Sequence, residues 1–114
     1  MRVQNLTRGA ELADRAVHAN TSKLRKTGLL KHQSLPEGEG LWITPCEGVH
    51  TFFMKFAIDV VYLNKKREVV KLRPNMGKSR LSLCLSAHSV LELPAGMIAK
   101  TGTCVGDRLE FEKP

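Results

Sequence analysis

Two cysteine–histidine pairs with the same spacing, Cys46 with His50 and Cys84 with His88, are the residues of this chain whose types most directly suggest chemistry. A thiol nucleophile and its base must bring their reactive atoms within about 3 Å. An extended chain separates residues four apart by about 13 Å, so only a turn across Pro45–Gly48 could bring Cys46 and His50 together. For three cysteines and four histidines in 114 residues, chance supplies about a tenth of one such spacing. Two raise a second option, a Cys2His2 tetrahedron for zinc. Both pairs border strand-like alternation, and neither has the tight cysteine spacing of a zinc knuckle. The reading adopted is no metal and no cofactor. It makes Cys46 and His50 near neighbours where a strand leaves the core, with Cys84 and His88 too distant to join them. Trp42 and Lys55 complete a candidate binding cleft with Cys46 and His50.

Asp59 interrupts Ile58 and Val60-Val61. An ionised carboxylate among apolar neighbours is costly unless it is paired or accepts several hydrogen bonds. The candidate buried ion pair is Arg25 with Asp59, anchoring a helix to a sheet, with Arg8 and Lys100 as substitute cations. Glu92, between Leu91 and Leu93, is expected to face solvent by simple alternation and ranks below Asp59. The run Asn75-Met76-Gly77-Lys78-Ser79 ends like a phosphate-binding loop, but Leu72 stands where the earlier glycine is required and alternation follows where a helix should. It is not a phosphate-binding loop.

The elements that must position these residues are short. Arg2–Leu6 alternates, Thr7-Arg8-Gly9 supplies a turn, and Glu11–Ala19 reads as a returning strand or the start of a helix. Asn20-Thr21-Ser22 offers N-cap residues for a helix from Ser22 to Leu30, in which Gly28 is the weak point. His32–Gly40 is a loop, Leu41–Thr44 a strand and Pro45–Gly48 a turn. His50–Leu63 reads as one long strand or two joined by a bend, with Phe52, Met54, Phe56 and Ile58 on the core face. Val60–Leu63 and Val69–Leu72 form a hairpin around a charged tip. Pro74–Lys78 is a loop, Leu81–Leu85 alternates, Ser89–Gly96 is a strand ending in a turn, and Arg108–Glu112 is a last strand. This predicts an α+β fold: a small, mainly antiparallel, strongly curved or barrel-like sheet with one short helix, as a single domain over residues 1–114.

Composition bounds the rest. A 114-residue domain buries about two-thirds of its unfolded surface and needs no disulfide or metal to hold a core. Three dispersed cysteines imply free thiols and a reducing compartment. The first thirty residues contain no continuous apolar stretch of the kind that directs secretion, so the expected location is cytoplasmic; no segment approaches the roughly 18 apolar residues of a membrane span. The net charge of +7 favours encounter with an anionic ligand or nucleic acid. The basic residues are scattered, however, with almost none of the aromatic interleaving of single-strand binders.

Taken in order, several elements carry a family resemblance. They are Arg25 and Gly28-Leu29-Leu30, the run GEGLW, Phe53-Met54, Ile58-Asp59-Val60-Val61, Leu91-Glu92-Leu93, Ala95-Gly96 and Gly106-Asp107. The series resembles the uncharacterised prokaryotic family known as domain of unknown function 192, over about residues 17–112. That family often has tryptophan before the methionine and a polar residue after it, where this chain has Phe53 and Lys55-Phe56. The pattern Pro45-Cys46 with His50-Thr51-Phe52 resembles that of one branch of the family most closely. The resemblance implies a compact β-rich fold and brings no activity, substrate or catalytic residue. The function expected is a small cytoplasmic binding or accessory module. The alternative is a Cys/His-dependent or metal-dependent enzyme, and the third reading is weak nucleic-acid binding through basic charge.

Overall fold

The buried run Ile58–Leu63 organises the molecule: all six of its residues are inaccessible, so both faces of this strand must be covered. The computed structural model describes residues 1–112. In chain order its elements are β1 (Arg2–Asn5), β2 (Ala10–Ala13), β3 (Arg15–Ala19), α1 (Ser22–Thr27), β4 (Glu39–Ile43), β5 (Gly48–His50), β6 (Ile58–Leu63), β7 (Val69–Met76), β8 (Leu81–Leu83), β9 (Ser89–Pro94), α2 (Met97–Thr101) and β10 (Leu109–Glu112). A five-stranded sheet in the order β3-β4-β9-β6-β7 forms the centre, with β9 as its middle strand. A three-stranded sheet, β10-β1-β2, and a two-stranded one, β5-β8, complete the fold.

Alternation divides the central sheet between two cores. Trp42, Val61, Leu63, Leu91 and Leu93 face one side, where they meet Val3, Leu12 and Leu109 of the three-stranded sheet and Met97 and Ile98 of α2. Leu41, Ile43, Ile58, Val60, Tyr62 and Val90 face the other, where they meet Leu29, Leu35, Val49 and Met54.

The architecture is α+β and mainly antiparallel, as the pattern predicts, with two differences. There are two short helices rather than one, and the strands form three separate sheets, with no closed barrel among the described residues. The β1–β2 hairpin forms, but the chain breaks at Asp14 and β3 pairs parallel with β4 instead of extending the hairpin. Helix α1 starts where expected, with Thr21 Oγ1 accepting from Leu24 N, and stops at Gly28, whose φ of +47° suits a residue without Cβ. The β6–β7 hairpin closes over a charged tip because Asn64 Oδ1 accepts from Lys66 N and Glu68 N, giving the turn its own hydrogen bonds. Strand β7 runs through Pro74 rather than ending before it; as an edge strand it tolerates a residue that cannot donate.

The largest departure lies between β5 and β6. Residues 51–57 are irregular, with a turn at Phe52–Phe53 and a bend at Lys55–Phe56, so alternation does not select one face. Met54 is buried, but Phe52 is exposed and Phe53 is almost fully so, at 88%, with φ +68°. Buried Thr51 pins the segment: its Oγ1 donates to Gly77 O and accepts from Arg80 N. No helix of the described residues is long and apolar enough to cross a membrane.

Candidate functional site

Between α1, the loop that follows it and strand β5 lies an open cleft of about 360 Å³. Its walls are largely apolar, from Leu29, Leu30, Ile43, Val49 and Met54, and Arg25, Lys26 and His50 add polar groups. Cys46 stands on one side, and Glu92 of the middle strand also lines it.

Glu92 is the chemically unusual group. Its cross-strand partners are Leu41 of β4 and Val60 of β6, and it shares a sheet face with Val90. Only 4% of the residue is exposed, and among the described residues no hydrogen bond or ion pair reaches its carboxylate. Burial alone pushes its pKa up to about 7. The expectation that Glu92 faces solvent fails for a definite reason: alternation assigns a residue to one of two faces, but here both faces are covered.

Asp59 meets the cost of burial in a different way. It is fully inaccessible, and its two oxygens accept from Asn75 N and from Ile98 N, each at 2.8 Å. Ile98 is the second residue of α2, so the carboxylate satisfies a first-turn N–H that has no partner within the helix. The Arg25–Asp59 ion pair is not formed. Arg25 donates instead to Thr44 O and Ser22 Oγ and lines the cleft, while the proposed substitutes are engaged elsewhere, Arg8 with Asp107 and Lys100 with Glu37. The sheet lies between them: Asp59 belongs to the side that receives α2, and Arg25 to the side that receives α1.

The four residues of the expected cleft divide in the same way. Cys46 and His50 line it; Trp42 and Lys55 do not. Trp42 is one residue out of phase with Ile43 on β4 and therefore enters the opposite core, stacked between His18 at 4.3 Å and Phe111 at 3.9 Å. Arg67 covers its ring, and the indole Nε1 is buried without a hydrogen-bond partner among the described residues. Lys55 is exposed on the bend after Met54.

Cys46 and His50 lie at one cleft without forming a nucleophile–base couple. The Cys46 thiol donates to Gly48 O at 3.0 Å, and burial, reinforced by the Glu92 charge, raises its pKa above the ordinary thiol value. A protonated, carbonyl-bound thiol is a poor nucleophile. The two cysteine–histidine stretches are tied through their backbones, with Cys46 N donating to His88 O and Cys84 N to Glu47 O. Even so, no three His, Cys, Asp or Glu side chains among the described residues come together as a metal ligand set. All three cysteines are free.

This arrangement, a β-rich domain with a glycine-terminated helix over a sheet that buries the leucine–glutamate strand, accompanies a match to the family model DUF192, uncharacterised ACR, over residues 3–111. The chain belongs to the DUF192 family. The UPF0127 protein of Pyrococcus furiosus is 32% identical over 96% of this chain and 97% of its own length. A UPF0127 protein of Thermococcus sibiricus is 29% identical over 95% of this chain and 73% of its own. The crystal structure of a protein of unknown function from Novosphingobium aromaticivorans has the same fold, with a TM-score of 0.85 at 22% identity over 97% of this chain and 84% of that one. Arg25, Gly28-Leu29-Leu30 and Leu91-Glu92-Leu93, which carried the resemblance to DUF192, all contribute to the cleft or to the strand beneath it.

Proposed function

We propose that this DUF192 domain is a binding module and that the cleft over Glu92 is its ligand site. One observation carries the reading: a glutamate that is 96% buried, its carboxylate without a partner among the described residues, lines an open cleft of about 360 Å³ with largely apolar walls. An unpaired buried acid costs stability and contributes nothing to packing that a leucine would not, so its place is explained by something that occupies the cavity. The volume and the few polar groups among apolar walls are those of small-molecule sites. The net charge of +7 supports attraction of anionic groups, and three free thiols support a cytoplasmic setting.

A fragment screen by two-dimensional NMR tests this. Bound fragments are expected to shift the signals of Leu29, Val49 and Met54, and Leu30→Trp, which fills the cavity from a half-buried wall position, is expected to abolish those shifts. Shifts that map elsewhere, or that survive Leu30→Trp in a folded protein, would count against the cleft.

A further inference from the structure

The cleft has two kinds of charge that do not meet. Glu92 is buried against Leu41 and Val60, whereas Lys26 and His50 are exposed and Arg25 is half-buried. Among the described residues none of the three cations forms an ion pair with Glu92. Arg25 is held by Thr44 O and Ser22 Oγ, which leaves part of its fork of five N–H donors available. Cys46 lies within electrostatic reach of both Glu92 and Arg25, so the acid and the guanidinium are two poles of one cavity.

These poles constrain the occupant. A simple cation could pair with Glu92 but must pass Arg25 and Lys26; a simple anion suits those cations but leaves the buried acid unpaired. A neutral apolar molecule satisfies neither end. Resting on the reading of the cleft as a ligand site, we propose that its ligand is a small zwitterion: an apolar body carrying a protonated amine that pairs with Glu92 and an anionic group that meets Arg25 and Lys26. The amine supplies the hydrogen-bond donors that the Glu92 carboxylate lacks, and Arg25 can offer two parallel N–H groups to a carboxylate or phosphate.

Three compounds of equal chain length separate the contributions: 6-aminohexanoate, hexanoate and hexylamine, titrated into the whole protein at pH 7 by NMR and calorimetry. The zwitterion is expected to bind at least tenfold more tightly than either single-charge compound. Glu92→Gln should reduce it to the level of hexanoate, and Arg25→Gln to that of hexylamine. Glu92 faces the apolar Leu41 and Val60, the thiol of Cys46 and, across the cavity, Arg25, Lys26 and His50. Pairing with an ammonium favours its ionised form, and calorimetry in buffers of different ionisation enthalpy should read a net release of protons on binding at pH 7. Hexanoate binding as tightly as the zwitterion, unaffected by Glu92→Gln, would overturn the proposal while leaving the cleft a ligand site. So would silence from all three compounds in a protein whose cleft accepts neutral fragments. If neutral fragments also fail to bind, the ligand-site reading falls, and the zwitterion falls with it.

Discussion

Asp59 and Glu92 sit on neighbouring strands of one sheet and are almost equally inaccessible, yet their surroundings are opposite. Asp59 accepts two backbone N–H groups and joins β6 to β7 and α2. Glu92 accepts none among the described residues and lines an open cleft. The same contrast extends along the chain: buried Asp107 binds Asn5 Nδ2, Arg8 Nε and Cys104 N through one oxygen, so the side of the sheet that receives α2 and the three-stranded sheet has its acids engaged. Burial alone therefore does not tell the two acids apart. What separates them is whether the fold provides hydrogen-bond donors.

The comparison is most exposed at Asp59. Asp59→Ala leaves the buried N–H of Ile98 and the part-buried N–H of Asn75 without their acceptor, and loss of two hydrogen bonds to a charged group should lower stability by about 3 kcal/mol. Urea denaturation at pH 7 measures this; an unchanged midpoint would remove Asp59 from the structural class.

Glu92→Gln should act in the opposite direction and with a pH signature. The carboxyl titrates near its ordinary value of 4.5 when unfolded and at about 7 when folded, so between those pH values the native state holds more protons and stability falls as pH rises. The penalty is absent below pH 4.5 and complete above pH 7, where it reaches about 3 kcal/mol. The Gln variant should thus be more stable than wild type by about that amount at pH 8 and equal to it at pH 4. Equal stability at both would mean that the acid is not unpaired.

The smallest effect belongs to Arg8→Ala. Desolvation pushes the Asp107 carboxyl up, but the bonds from Arg8, Asn5 and Cys104 together outweigh it and hold its pKa below the usual carboxylate range. Stability from Asp107 is therefore present at neutral pH and lost as acid titrates it. The Arg8 side chain is 43% exposed, so its removal should leave the midpoint at pH 7 near wild type, and acid unfolding should begin at slightly higher pH. A loss at pH 7 as large as that of Asp59→Ala would show that Arg8, not the buried donors, secures this acid.

Much of the fold was legible because it is local. Thr21 and Gly28 mark the ends of α1 by their own chemistry, and Val60–Leu63 with Val69–Leu72 specifies a hairpin whose turn Asn64 closes through its side chain. The DUF192 membership was also legible, since it rests on the order of short motifs along the chain. Of the four residues grouped by the sequence, Cys46 and His50 line the cleft, whereas strand phase sends Trp42 to the opposite core and the irregular segment 51–57 leaves Lys55 exposed.

Only the tertiary structure decided which acid is which. Alternation shows that Asp59 and Glu92 each point to a face of a strand; it cannot show that β9 becomes the middle strand of a sheet covered on both sides. Nor can it show that the donors for Asp59 arrive from Asn75 and Ile98, which stand 16 and 39 residues away. Interactions within a turn or a helix end are encoded by adjacent residues. Satisfaction of a buried charge depends on groups from distant segments, and those are brought together only when the chain folds.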